Sequence, residues 1–220
     1  MTSMGEPQLL KKDLFGSVWL VKQDGQALIR RDTTQARWWL RWLAQRLAAR
    51  EARALERLQH IDDIPGLRRW TGRILDRQWL PGQPMQLGRP TDRDYYRKAL
   101  TILRRMHRSG VVHNDTAKEP NWVVLPDGSP ALIDFQIAMC FKNRGRLFRL
   151  LAREDLRHML KHKRTYRPSY LTARERAILA RPAITARIWQ RSGKRVYLWI
   201  TRGILGWSDR EGADDRRDNS

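Results

Sequence analysis

The chain has 220 residues, 41% of them hydrophobic and 30% charged, which is enough apolar material for one sizeable core. Its formal net charge is +21, a field that calls for an anionic partner: a phosphate-bearing substrate, nucleic acid or an anionic membrane surface. The single cysteine, Cys140, excludes an internal disulfide, and the opening MTSMGEPQLLKKD lacks the apolar stretch of a secretory leader, so a reducing cytosol is expected.

In chain order, the first 33 residues read as strands. Phe15 to Lys22 and Gln26 to Arg31 are β-type runs, and Asp24-Gly25 between them is a hairpin turn. A helix is expected over Thr34 to Leu58, with Leu40, Leu43, Leu47, Ala54 and Leu58 at three-four spacing. Glu51 falls inside that apolar stripe, and a charge on an inward face is costly unless it is paired. After a turn at Asp63 to Gly66, two short strands are expected across Trp70 to Trp79, and Leu80-Pro81-Gly82 breaks them. A second helix should run from Asp92 to Ser109 and stop at Gly110. Val111-Val112 then leads into a polar loop, followed by a hairpin of Trp122 to Leu125 and Ala131 to Asp134 around the turn PDGSP. The remainder from Arg146 reads as helical and basic. Between Lys142 and Arg202 there are eighteen Lys and Arg against three acids, Glu154, Asp155 and Glu175, a net +15. The apolar runs, such as Val196 to Ile200, fall far short of the roughly 20 residues of a membrane span.

The chemistry-bearing signal is His113-Asn114-Asp115, then Asn121, then Asp134-Phe135. Phosphoryl transfer to a hydroxyl needs a carboxylate near the attacking oxygen and hard oxygen ligands for a Mg²⁺ ion that neutralises phosphate charge. Asp115 can be the base, and Asn121 and Asp134 can hold the metal. The polar loop and the strand-ending Asp134 should bring these groups to one point at the ends of neighbouring strands.

On these residues, VVHNDTAKEPNWVV followed by ALIDFQIA resembles the catalytic loop and metal-binding segment of the protein-kinase-like superfamily, over about Leu14 to Leu160. The similarity is to short bacterial and RIO-type serine/threonine kinases and to kinases of the lipopolysaccharide core. It implies an α+β, two-lobe fold: an N-lobe over 1–80, a helical C-lobe over 81–205, and a polar tail over 206–220. It implies ATP and Mg²⁺ as cofactors, His113 as support for the loop, Asp115 as base, and Asn121 and Asp134 as metal ligands. In the N-lobe, Arg30 stands where a phosphate-binding lysine is usual, paired with Glu51; Lys22 and Arg31 are the alternatives. Gly16, in Leu14 to Val18, stands where a phosphate-covering loop is usual.

The sequence departs from the family pattern in four places. Asp115 to Asn121 is six residues rather than five, so one residue must bulge. Gln136 replaces the glycine after Asp-Phe, which removes a flexible hinge. No A-P-E segment follows. Arg30 replaces lysine, and a guanidinium is a wider, forked donor.

The expected activity is ATP-dependent transfer of the γ-phosphoryl group to a hydroxyl, of a lipopolysaccharide-core sugar or of protein Ser/Thr. Trp38, Trp39 and Trp42 with Arg37 and Arg41, and Trp199 with Lys194, Arg195 and Arg202, suit an anionic membrane interface, against the competing reading that these aromatics pack into the core. The expected location is cytoplasmic, with peripheral attachment to the inner membrane as the option these aromatics open. The alternative class is a decayed kinase-like fold that binds nucleic acid or membrane through its basic surface. Intact Asp115 and Asp134 argue against decay; Arg30 and Gln136 argue for it.

Overall fold

A computed structural model describes residues 7–180, and those residues form a mixed α+β fold. Five strands make an antiparallel sheet: β1 (Gln8–Asp13), β2 (Gly16–Gln23), β3 (Gln26–Asp32), β4 (Leu67–Trp70) and β5 (Ile74–Gln78), in the order β1-β2-β3-β5-β4. The β2–β3 register runs from Ser17↔Asp32 to Gln23↔Gln26 and closes through Asp24 and Gly25. Both turn residues have positive φ, 51° and 76°, as a two-residue turn matched to strand twist requires.

The helix α1 (Arg41–Arg57) starts seven residues later than expected. Asp32 Oδ1 accepts from the Thr34 backbone N–H at 2.8 Å and from its hydroxyl at 2.6 Å. The Arg37 N–H donates to the Leu14 carbonyl at 3.2 Å rather than to the carbonyl four residues back, and Thr34 to Leu40 forms turns instead. The buried face also differs from the leucine stripe expected. It is Ala44, Ala48, Glu51, Ala52, Ala54 and Leu55, while Leu43 and Leu47 are half-buried. Alanines on this face leave room for little beyond the helix backbone, which suits close packing.

The helical portion begins after Gly82. It contains β6 (Gln83–Pro84), α2 (Met85–Gly88), α3 (Arg93–Arg108), β7 (Val111–Val112), β8 (Trp122–Val124), β9 (Pro130–Leu132), β10 (Met139–Cys140), α4 (Arg146–Tyr166) and α5 (Ala173–Ala180). Asp92 caps α3 by accepting from the Asp94 N–H at 2.9 Å, and Gly110 ends it at φ 73°. One core unites both portions: Leu55 and Leu58 of α1, Tyr95, Ile102, Leu103 and Met106 of α3, Trp122, Leu132, Phe135, and Met159 of α4. Residues 7–179 belong to one compact unit. None of the helices among the described residues is long and apolar enough to cross a membrane. Trp199, the basic helix expected around it and the 206–220 tail lie outside the described residues.

Candidate phosphotransfer site

The loop between β7 and β8 is built on one buried carboxylate. Asp155, 1% exposed on α4, accepts from the backbone N–H of His113 at 2.9 Å and of Asn114 at 3.0 Å. It also accepts from His107 Nε2 at 3.1 Å and the Thr116 hydroxyl at 3.3 Å. Three donors from the loop, with His107 of α3 as a fourth, converge on this carboxylate and hold the loop backbone at α4. They also stabilise Asn114 in the left-handed region, at φ 66°, where its Nδ2 donates to the Ile137 carbonyl.

His113 braces the loop from its other side. Its Nε2 donates to the Ile133 carbonyl at 3.0 Å, and its Nδ1 accepts from the Asp115 N–H at 3.2 Å. A carbonyl only accepts and an N–H only donates, so these two bonds define the tautomer: the proton is on Nε2. The ring is fully buried and packs edge-on against Phe135, with centroids 4.6 Å apart. His113 thus ties Asp115 to the end of β9, next to Asp134.

Asp115 is presented at the loop surface between two donors. Asn121 Nδ2 donates to its Oδ2 at 3.0 Å and to its backbone carbonyl at 2.9 Å. Lys118 Nζ lies 2.9 Å from the same Oδ2. Between Asp115 and Asn121, the Thr116 carbonyl accepts from Trp122 Nε1 at 3.2 Å and His162 Nε2 at 2.9 Å. The six-residue spacing therefore still brings Asn121 onto Asp115.

Asp134 follows β9 in a left-handed conformation, φ 64°. Its Oδ1 accepts from Gln136 Nε2 at 2.7 Å, so Gln136 clamps one oxygen of this carboxylate. Burial pushes the Asp134 carboxyl up, but Arg31, the Gln136 bond, Arg77 and His113 outweigh it and hold it below the usual carboxylate range.

Glu51 is fully buried, as its position in the helix stripe implied. Its partners are Arg31 of β3, 3.4 Å away, and Arg77 of β5, 3.2 Å away. Burial pushes its carboxyl above the usual range, and the two guanidiniums pull it back. The expected Arg30–Glu51 pair does not form. Arg30 lies on the opposite face of the sheet, bidentate to Asp76 at 2.7 and 3.0 Å, with Arg69 on the same carboxylate. Adjacent strand residues point to opposite faces, so Arg31 faces α1 when Arg30 does not. Lys22 is exposed. Gly16 sits at the β1–β2 tip with φ 123°, and a Cβ there would meet the Asp32 carbonyl oxygen at 2.1 Å. The glycine is required by this close backbone packing, whatever else the tip does.

Sequence reasoning passed over Arg77, Asp155 and Lys118. Asp155 had a signal of the same kind as Glu51: it sits at three-four spacing with Phe148, Ala152 and Met159, an acid inside an apolar stripe. A depression of about 310 Å³ lined by Gly82, Gln83, Gly88, Val124, Leu125 and Pro126 contains none of these groups. The chain matches no protein-family model and no curated protein.

Proposed function

We propose that this chain is an ATP-dependent phosphotransferase of the two-lobe, protein-kinase-like type, its smaller lobe ending near residue 80. The observation that carries the reading is the Asp115 carboxylate, held by Asn121 and Lys118 in a loop anchored at Asp155, with Asp134 tied to the same loop through His113. Asn121 and Lys118 hold the Asp115 carboxylate partly exposed, and transfer to a hydroxyl needs such a carboxylate to orient it and take its proton.

The donor set fits a hard divalent cation. One Asp134 oxygen is taken by Gln136 and the other accepts no hydrogen bond among the described residues. Asn121 spends its amide N–H groups on Asp115, which leaves its carbonyl oxygen as an acceptor. Asp134 and Asn121 would hold Mg²⁺, which when bound neutralises phosphate charge. Arg31, ion-paired to Glu51, is the side chain suited to nucleotide phosphates, in place of Arg30. Asp115 would orient the acceptor hydroxyl and receive its proton; Lys118 would balance the charge beside it.

The acceptor is a hydroxyl of a lipopolysaccharide-core sugar or of a protein Ser/Thr, and the basic surface favours an anionic one. Incubation with labelled ATP and separated envelope and protein fractions tests which takes the label. The mechanism is tested by Asp115→Asn. ATP affinity should stay within a few-fold while phosphotransfer falls by roughly 10² or more, the scale of a lost general base. Parallel loss of binding and turnover would move Asp115 to the metal site, and full activity would end the reading.

A further inference from the structure

Trp38 is 82% exposed and Trp42 63% exposed. They lie four residues apart, in the turn before α1 and in its first turn. Two indoles left in water at one helix end are a cost that a binding partner removes. Each is preceded by an exposed arginine, Arg37 and Arg41. Steps of four and seven return to the same side of a helix, so the stripe continues from Trp42 to Arg46 and Arg53, both exposed. The helix α1 carries five arginines against Glu51 and Glu56. Glu51 is buried on Arg31 and Arg77, so Glu56 is its one acid at the surface.

The backbone of Arg37 donates to the Leu14 carbonyl at 3.2 Å, which joins this segment to the β1–β2 tip. Strand β1 ends at that tip and is exposed along its length, presenting Leu9, Leu10, Lys11 and Lys12. The tryptophan segment is thus basic and apolar, and it adjoins a hairpin tip where Lys12 is exposed and Lys11 is paired with Asp13 at 3.5 Å.

We infer that this face, centred on Trp38 and Trp42, docks on an anionic lipid bilayer. The indoles enter the interfacial zone and the arginines meet the headgroups, the arrangement of a basic amphipathic helix lying on a membrane. Charge complementarity selects anionic lipid. Leu9 and Leu10, exposed on the strand that ends at the adjoining tip, favour a bilayer over nucleic acid, because aliphatic side chains gain from an apolar phase and give nucleobases nothing to stack on. None of these residues has a role in the proposed phosphotransfer, so the surface stands or falls separately from it.

The test uses the full chain with vesicles of phosphatidylglycerol and phosphatidylcholine, and with phosphatidylcholine alone. The native protein should co-sediment with the anionic vesicles and less so as salt rises, since the Debye length shrinks to about 8 Å at physiological ionic strength. W38S/W42S should weaken binding by about tenfold or more. R37Q/R41Q should weaken it by about 30-fold at low salt, roughly fivefold for each basic group near an anionic surface. Brominated lipids should quench more fluorescence from the native protein than from W38S/W42S. Thermal melts matching the native protein establish that the variants fold, as expected for exposed positions. Native protein that ignores anionic vesicles overturns the inference. So do variants that bind as the native chain does, or a single-stranded RNA oligonucleotide that binds this face while vesicles do not.

Discussion

Glu51 shows how a single residue's environment constrains the N-terminal portion. Its carboxylate is fully buried, makes no hydrogen bond among the described residues, and rests on two ion pairs, to Arg31 and Arg77. A buried carboxylate whose partners are removed is left uncompensated, at a cost of about 3–5 kcal/mol. Glu51→Ala and Arg31→Ala should therefore be strongly non-additive, the double variant losing much less stability than the two singles together. Glu51→Ala with Arg30→Ala should add to within about 0.5 kcal/mol, because Arg30 belongs to Asp76 on the other face. Chemical denaturation of the four variants and the native protein measures both cycles. Additivity in the first would remove Arg31 as the partner.

At the scale of elements, α4 and the loop before β8 act as one unit. Asp155 holds the loop's start, while His158 and His162, one turn apart on α4, meet Thr116: His158 Nδ1 lies 3.3 Å from its hydroxyl and His162 Nε2 donates to its carbonyl. Burial lowers both histidines below the usual range; Lys161 reinforces this at His158, where Asp155 and Glu154 oppose it. A histidine depressed in the folded state binds its proton more readily when unfolded. Stability should thus be level above the ordinary histidine range and fall as pH drops through about 6.5 toward the folded values. The slope is at most about 1.4 kcal/mol per pH unit for each histidine. His162→Gln keeps a donor for the Thr116 carbonyl and should flatten the profile between about pH 7 and 5, read as denaturation midpoints against pH. An unchanged slope would remove His162 as a contributor. Asp155→Ala leaves two backbone N–H groups unbonded beneath Asp115; turnover should fall further than global stability accounts for, with ATP affinity retained.

For the whole molecule, the net charge of +21 sets a repulsive field that folding compresses. Raising sodium chloride from about 0.01 M to 0.15 M shortens the Debye length from about 30 Å to 8 Å and screens that repulsion. The thermal midpoint should therefore rise over this range. A fall would mean that attractive pairs such as Arg30–Asp76 and Lys163–Glu175 outweigh the net field. The membrane surface inferred above has the opposite salt dependence, so the two effects separate cleanly.

The sequence by itself determined the features that depend on short-range spacing. The β2–β3 hairpin follows from Asp24-Gly25, where positive φ is needed at both positions. The boundaries of α3 follow from Asp92 and Gly110, and the inward position of Glu51 follows from helical periodicity. Asp115 and Asn121 stand out in the sequence as polar groups in a loop between apolar runs and Asp134 as an acid ending a strand, and the structure puts Asn121 on Asp115 and His113 between Asp115 and the end of that strand. What only the tertiary structure decided is which partner each charge meets. Arg30 and Arg31 are neighbours in sequence, yet the register Ile29↔Arg77 and Arg31↔Leu75 puts Arg31 with Arg77 on the face toward Glu51 and sends Arg30 to Asp76. A one-residue difference in a strand inverts the face, and no local pattern in a run such as ALIRR resolves it. The delayed start of α1 and the anchoring of the loop by Asp155 have the same cause. Each depends on a bond to a residue distant in sequence, Arg37 N–H to the Leu14 carbonyl and His113 N–H to Asp155, which helix periodicity does not carry.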